Sequence, residues 1–542
     1  MAIRINIKNR KGSVLAFMLV IMTAITIILV SILQYISSQM RYGFHSYDRE
    51  ESLQIAESGI NFYKWYLAKE MNTLTTPQEV LDYWNGDPIG IDYDCDETGA
   101  YISDYESGNV KGQYCIEVDP PDEWSTVFTV RSVGWTEGNS NLKRTIQARF
   151  RRPSFSEFMI VGDKQFTLND QAEVHGRLHS NEGIHFNGVA YNTVSSEADT
   201  YYYSDALIPW GQWGWKNGVW TYWSGEYNNT LNKDVFQVGK QIGTSQGATH
   251  WDFPSVDPYI NFARTKSLEG VSPPNTPCDS NGCYFNNTGE GRKITLNGGT
   301  FSACDVNSYC GNCKTINVDL GGYTFPFNLG CCQGTWILGV ICTNYCNKYS
   351  IINYKRTDGT SGTCSSCSGQ CAARGPYAIP NNGVIYVEDN VWLGGTLGAS
   401  SNHKRVSILA ADMSLNPGPS MFLGENNLTY SSYDGSDMLG LLGQNNVEII
   451  KASQDNLRID GALMARYGRV GRDLYYLDSR NSVTFYGSIM TNGKFNVGKG
   501  IIPTIDVGYQ HSYLNFDNNL LYNPPPFFPT GVGYSMDSWE EL

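Results

Sequence analysis

Charge is scarce in this chain. Asp, Glu, Lys and Arg make up 17% of its 542 residues, where soluble globular domains carry about 25%. Basic residues are the scarcer kind, 39 against 53 acids, for a formal net charge of −14. That balance argues against a protein that coats nucleic acid by counterion release, so no direct nucleic-acid binding is expected. Disorder is excluded too, because 41% hydrophobic and 13% aromatic residues supply ample apolar surface to bury. The sequence is instead rich in Gly (56) and Tyr (35), residues of turns and half-buried strands. Its length suits two to four domains of roughly 100–200 residues.

The amino terminus carries the sharpest pattern. Residues 1–12 form a basic leader with Arg4, Lys8, Arg10 and Lys11 and no acid, and residues 13–40 contain no charge at all. At 1.5 Å per residue that uncharged stretch is about 42 Å long, enough to cross a hydrocarbon core of roughly 30 Å. Residues 13–40 are therefore expected to be a transmembrane helix in contact with lipid. Basic residues on its amino side predict that end in the cytoplasm and the bulk of the chain outside the inner or cytoplasmic membrane. A secretory signal would have an apolar core of about 7–15 residues and a small-residue cleavage site, and no such site precedes Arg41. Residues 41–71 continue the helix amphipathically. Leu53, Ala56, Ile60, Tyr63 and Leu67 fall at spacings of 3, 4, 3 and 4, one stripe of a helix. Gly43 is its expected bend.

A short basic leader ending in Gly12, an apolar helix starting at once, and the continuation AESGINFYKWYLA with Ala56 to Gly59 at its head resemble type IV prepilins and pseudopilins, in particular the PilX-type minor pilins. The resemblance implies that a prepilin peptidase cuts between Gly12 and Ser13. It also implies that the helix joins other pilins or minor pilins in a cell-surface filament. Major pilins carry Glu as the fifth mature residue, where it neutralises the amino terminus of a neighbouring subunit. Here that position is Phe17. A buried unpaired carboxylate is costly, so a subunit with nothing ahead of it does better without one. Phe17 thus points to a subunit of the tip or of an initiation complex.

Residues 72–152 read as a pilin-like α+β head with strands at Gln113–Val118, Val127–Gly134 and Leu142–Arg151. The run VRSVGWTEGNSNLKRTIQARF also resembles the strand–turn–strand that closes PilX-type heads. Over residues 153–522 four segments share the form x-G-x-[LI]-x: Val174–Asn181, Leu393–Ser400, Ile459–Arg466 and Phe485–Asn492. Gly461 and Gly487 lie 26 residues apart, but Gly395 and Gly461 lie 66 apart, which excludes a fixed period. The fold class expected is mainly β with a long amino-terminal α-helix, a pilin-like α+β head and then an irregular β-solenoid or parallel β-helix. A β-sandwich is the alternative. Residues 523–542 open with Pro524–Pro526 and are expected to lie as an extended tail across the outside.

Cys95 and Cys115 belong to the head. Twelve more crowd into a Cys-rich insertion at residues 272–375: Cys278, Cys283, Cys304, Cys310, Cys313, Cys331, Cys332, Cys342, Cys346, Cys364, Cys367 and Cys371. Outside the cytoplasm thiols oxidise, so disulfides are expected, with their pairing left open. The alternative is a zinc knuckle built from Cys310-x2-Cys313 and Cys364-x2-Cys367, which leaves the other eight of the twelve unused.

Four constellations mimic catalytic or metal sites. His175 and His179, with Glu173 nearby, lie on a strand pattern, where four residues span about 13 Å, too far to share one zinc. They read as exposed strand histidines. GTSQG at Gly243–Gly247 matches G-x-S-x-G but lacks the strand–turn–helix context of a nucleophile elbow. Asp92, Asp94 and Asp96 could open a calcium loop, yet Glu97 replaces the glycine of the sharp turn. Asp434 and Asp437 are the nearest acid pair for a polysaccharide-cleaving β-helix, although turn acids are usually solvated. No catalytic residue, metal or cofactor is therefore expected. The aromatics Tyr201–Tyr203, Trp210, Trp213, Trp215, Trp220 and Trp223 either form a binding surface for a surface ligand or fill the core. The main expectation is a minor pilin-like structural subunit that displays a β-domain for adhesion or partner binding. The alternative is a membrane-tethered β-helix enzyme acting on polysaccharide. Processing is directly testable: amino-terminal sequencing of protein from cells with an active prepilin peptidase is expected to start at Ser13, and Met1 or Ala2 on all material would contradict it.

Overall fold

The structure, a computed structural model, describes residues 11–542 apart from 72, 87, 92–93, 123, 204–213, 270, 273–276, 321–322, 338–340, 359, 372–373, 474, 476–477, 499–506 and 532. It is mainly β with a long amino-terminal helix, as the composition and the apolar run suggested. Helix α1 (Lys11–Met71) has 61 residues and runs unbroken through Gly43, a length of about 92 Å. Its last third carries the buried stripe. Ile55, Ala56, Ile60, Tyr63, Leu67 and Met71 are all almost fully buried, while Leu53 sits at the margin.

That stripe packs on an antiparallel meander of β1 (Tyr101–Ser107), β2 (Val110–Asp119), β3 (Val127–Thr136) and β4 (Asn139–Arg151). The three strands read from the sequence fall within β2, β3 and β4. Helix α2 (Pro77–Asn85) was not anticipated, although its start is a capping box: the Thr76 hydroxyl accepts from the Glu79 N–H while the Glu79 carboxylate accepts from the Thr76 N–H.

The carboxyl-terminal run departs from expectation. Residues 524–530 are buried rather than lying across the outside, and Ser535–Glu541 pairs antiparallel with β4 as a fifth strand of the head sheet. The prolines have no N–H to give a ladder, but with Phe527 and Phe528 they offer apolar surface to pack. Past Thr530 no proline remains, and the chain becomes a strand again.

Beyond the head, parallel strands stack edge to edge. The order in space is Cys283–Phe285, Val384–Val387, Arg405–Ala410, Met438–Gly443, Asn456–Ala465, Ser479–Thr491, Ile160–Gly162, Leu178–Ser180, Val194–Ser196 and Lys240–Ile242. Spatial order is thus not chain order. The chain enters in the middle of the ladder at Ile160 and climbs to Ile242. Residues 243–282, which include α3 (Asp257–Ser267), then carry it to the opposite end. One column of side chains runs Cys283, Ile385, Ile408, Leu441, Leu463, Ile489, Ile160, Leu178 and Val194, all within a single buried cluster. The alternate column holds Tyr284, Tyr386, Leu409, Leu442, Met464, Met490 and Val161. It is covered by Val256, Ile260 and Ala263 on and beside α3, and by Phe527 and Phe528. Burial on both faces explains why these strands read as near-continuous apolar runs.

Three of the four glycine segments share one register. Gly461 lies opposite Gly487, Gly487 opposite Phe516, and Gly176 beside Phe516. Gly395 lies opposite Leu428, which pairs with Ile459, so it stands two residues out of line. Gly487 has φ +143°, and a Cβ there would meet the Gly461 carbonyl oxygen at 2.0 Å. Gly487→Ala is therefore expected to destabilise the protein by at least about 2 kcal/mol in denaturant unfolding. Gly138→Ala, with nothing within 4 Å of its Cβ, should change it by less than about 0.5 kcal/mol.

Candidate functional site

Two exposed surfaces stand out among the described residues. The first is the amino-terminal part of α1. Val14 is 61% exposed, Phe17 67% and Tyr42 75%, and the helix is long and apolar enough to cross a membrane. Gly12 and Ser13 fall in its first turn. Three of its hydroxyls are satisfied within the helix. Thr23 donates to the Leu19 carbonyl at 3.0 Å, Thr26 to Met22 at 2.7 Å and Ser31 to Ile27 at 2.8 Å, as an apolar surrounding requires. No acid interrupts the helix before Asp48.

Where this helix meets the head, the Ala56–Gly59 motif acquires a physical role. A Cβ on Gly59 would lie 2.2 Å from Ser132 Oγ, and one on Gly134 would lie 2.4 Å from the Ala56 nitrogen. Small residues on both sides let the helix backbone rest directly on β3. Tyr63 then packs edge-on against the stacked pair of Phe128 and Phe150, at ring-centroid distances of 6.2 and 6.4 Å.

All fourteen cysteines are paired: Cys95–Cys115, Cys278–Cys283, Cys304–Cys367, Cys310–Cys346, Cys313–Cys331, Cys332–Cys342 and Cys364–Cys371. Each C-x2-C motif sends its two cysteines to different partners, so neither acts as a knuckle. Tyr349 anchors the Cys-rich region to the ladder by stacking on Phe422 at 4.6 Å, and its carbonyl accepts from Trp392 Nε1 at 2.7 Å.

The other constellations are dispersed. Asp92 lies outside the described residues, Asp96 pairs with Lys143 at 2.7 Å, and Asp94 faces solvent. Ser245 of GTSQG is exposed in a single 3-10 turn. Asp434 is exposed, but Asp437 is 1% exposed, contrary to the solvated turn acid expected. It accepts from the N–H groups of Lys404 and Ser432 and from the Ser431 hydroxyl, and so clamps two turns together. His175 is exposed and stacks on Tyr191. His179, expected to be exposed, is 2% exposed. Its Nδ1 lies 2.9 Å from Ser195 Oγ, under Phe158 and a loop held by Asn181 to the Trp251 carbonyl.

The second surface is aromatic. Thr200–Tyr203 pairs antiparallel with Gly214–Asn217, and strand alternation divides its rings. Tyr201 and Tyr203 are buried, while Tyr202 is 50% and Trp215 72% exposed, with their rings 6.0 Å apart. Trp220 stacks on His185 at 4.1 Å and donates to the Tyr201 hydroxyl, and Trp223 donates to the Asn187 carbonyl. Tyr222 adds a further exposed ring, which the sequence reading passed over. Trp210 and Trp213 lie outside the described residues. The aromatic run thus serves both purposes, with some rings in the core and others free to contact a ligand.

No family model matches the chain, and neither does any curated protein or solved structure.

Burial holds His179 down to about 4 and His185 to about 3, against 6.5 for a free histidine. As pH falls below about 6.5, the unfolded chain takes up protons that the folded chain refuses. The stability these neutral rings contribute is full above that pH and declines by about 1.4 kcal/mol per unit for each, down to its folded pKa. Denaturant unfolding between about pH 7 and pH 4 should show this slope, and His179→Gln should remove one share of it.

Proposed function

We propose that the chain is a minor pilin-like subunit of the PilX type. It anchors in the inner membrane by α1, is cut by a prepilin peptidase between Gly12 and Ser13, and joins other pilins or minor pilins through the exposed part of its helix. One observation carries this reading. A continuous helix has its amino-terminal part apolar and bare and one face of its last third buried on a small antiparallel sheet. The bare part needs lipid or neighbouring helices, and the buried face fixes a folded head at its end. In this reading the leader charge keeps the amino terminus cytoplasmic and the disulfide-rich bulk outside.

The ladder domain is read as a β-solenoid of the parallel β-helix type. Its parallel pairings and inward aliphatic column support that choice over a β-sandwich, whose sheets are antiparallel. It is read as a displayed binding domain for adhesion or partner contact, with Tyr202, Trp215 and Tyr222 as its free rings. The engagement of Asp437 in turn hydrogen bonds favours this non-enzymatic reading over polysaccharide cleavage.

Phe17 sets the position in the filament. A subunit without the family's fifth-position Glu leaves a neighbour's amino terminus buried and unpaired, at a cost of about 3–5 kcal/mol. The bulk of the chain after Pro153 would also crowd a helical array. A few copies at the filament tip or in an initiation complex are expected. Immunogold labelling of sheared filaments should mark ends only. Dense labelling along the shaft would refute tip placement, and complete absence from filaments would leave a plain membrane anchor.

A further inference from the structure

A cleft of about 520 Å³ lies where the head meets the ladder domain, between α2, the β2–β3 connection, α3 and the buried carboxyl-terminal run. Its volume is in the range of small-molecule sites. Two features of its wall are unusual. Trp124 and Phe527 have φ of +68° and +58°, a region that side chains other than glycine rarely occupy. Their rings pack against each other at 4.2 Å between centroids. Two strained aromatic residues, drawn from positions some 400 apart in the chain, thus converge on one wall of one cleft. Strain of this kind persists where surrounding structure enforces it, and it gathers at ligand clamps.

The second feature is Arg152. Its Nε and Nη1 are buried and have no hydrogen-bond partner among the described residues, while its guanidinium lies 5.5 Å from the centre of the Tyr534 ring. The other cation of the cleft, Lys266, is already engaged by Glu269 at 2.7 Å. Those two nitrogens are sealed from the cleft, but Arg152 is only half-buried, lines the cleft and pairs with no acid among the described residues, so a carboxylate seated there would meet the exposed part of its guanidinium.

We propose that this cleft binds a small organic carboxylate with a flat apolar body, its acid group on Arg152 and its body against Trp124 and Phe527. The wall argues for a small acid rather than a peptide strand. Pro120, Pro121, Pro524 and Pro525 line it, and prolines offer no N–H to an extended backbone. Recognition therefore rests on one anionic group and apolar contact. The bound acid bridges the head and the ladder domain, so occupancy stiffens the joint between them.

The test uses the full chain in lipid nanodiscs, titrated by calorimetry and ligand-observed NMR with 3-phenylpropionate, indole-3-acetate and hexanoate and with the corresponding amides. Saturable binding of an aromatic acid is expected, with the amide at least about tenfold weaker. Arg152→Gln should cause a similar loss. Trp124→Gly, whose backbone accepts the positive φ, should still fold and should weaken binding. Failure of every acid to bind saturably would overturn the proposal, as would equal affinity for acid and amide. Inorganic phosphate binding as tightly as the aromatic acids would reduce the cleft to a simple anion hole and overturn it as well. If Arg152→Gln does not fold, the acid–amide comparison on the unaltered chain decides.

Discussion

Everything after the head depends on covering one apolar face. The parallel strands put one column of side chains into a shared interior, and the pleat sends the alternate column outward. That outward column is itself apolar, from Tyr284 and Tyr386 through Leu442 and Met464 to Val161. Left bare, it would be a large exposed patch. The chain spends two segments on it: α3 with the residues just before it, and the run ending at Phe527 and Phe528. The position of the carboxyl terminus follows from this need, because the second covering segment passes the head and delivers Ser535–Glu541 to β4.

The local features were legible. The stripe of α1 and the strands β2, β3 and β4 are set by neighbours a few residues away, so periodicity finds them. Helix α2 was equally local, and Thr76 and Glu79 announce it. Features requiring distant partners were not. Nothing near Ile160 says that it lies between Ile489 and Leu178. His179 alternates like a surface residue, and only Phe158 and the loop at Trp251 make it buried. Asp437 looks like a solvated turn acid until Lys404 and Ser431 close on it.

The cysteines show the same limit. Their number and the compartment expected from the leader charge pointed to disulfides, but their connectivity depends on strand register. Cys313 and Cys331 face each other across an antiparallel pair, whereas Cys304 and Cys367 meet across a separation of 63 residues. The glycine segments were partly legible. Their shared form falls at a common register in three cases, yet Gly395 carries the form two residues out of line.

The fifth strand of the head has a mechanical consequence. The ladder domain is tied to the head at two points: it leaves from the end of β4 and returns through the strand that pairs beside it. Ion pairs between Arg149 and Asp537 and between Arg144 and Glu541 run along that seam. A pull on the distal end of the ladder, opposed by a held helix, is shared between two connections that enter the same sheet side by side. Strands loaded along their length must break several hydrogen bonds at once, so this double tether resists shear rather than unzipping bond by bond.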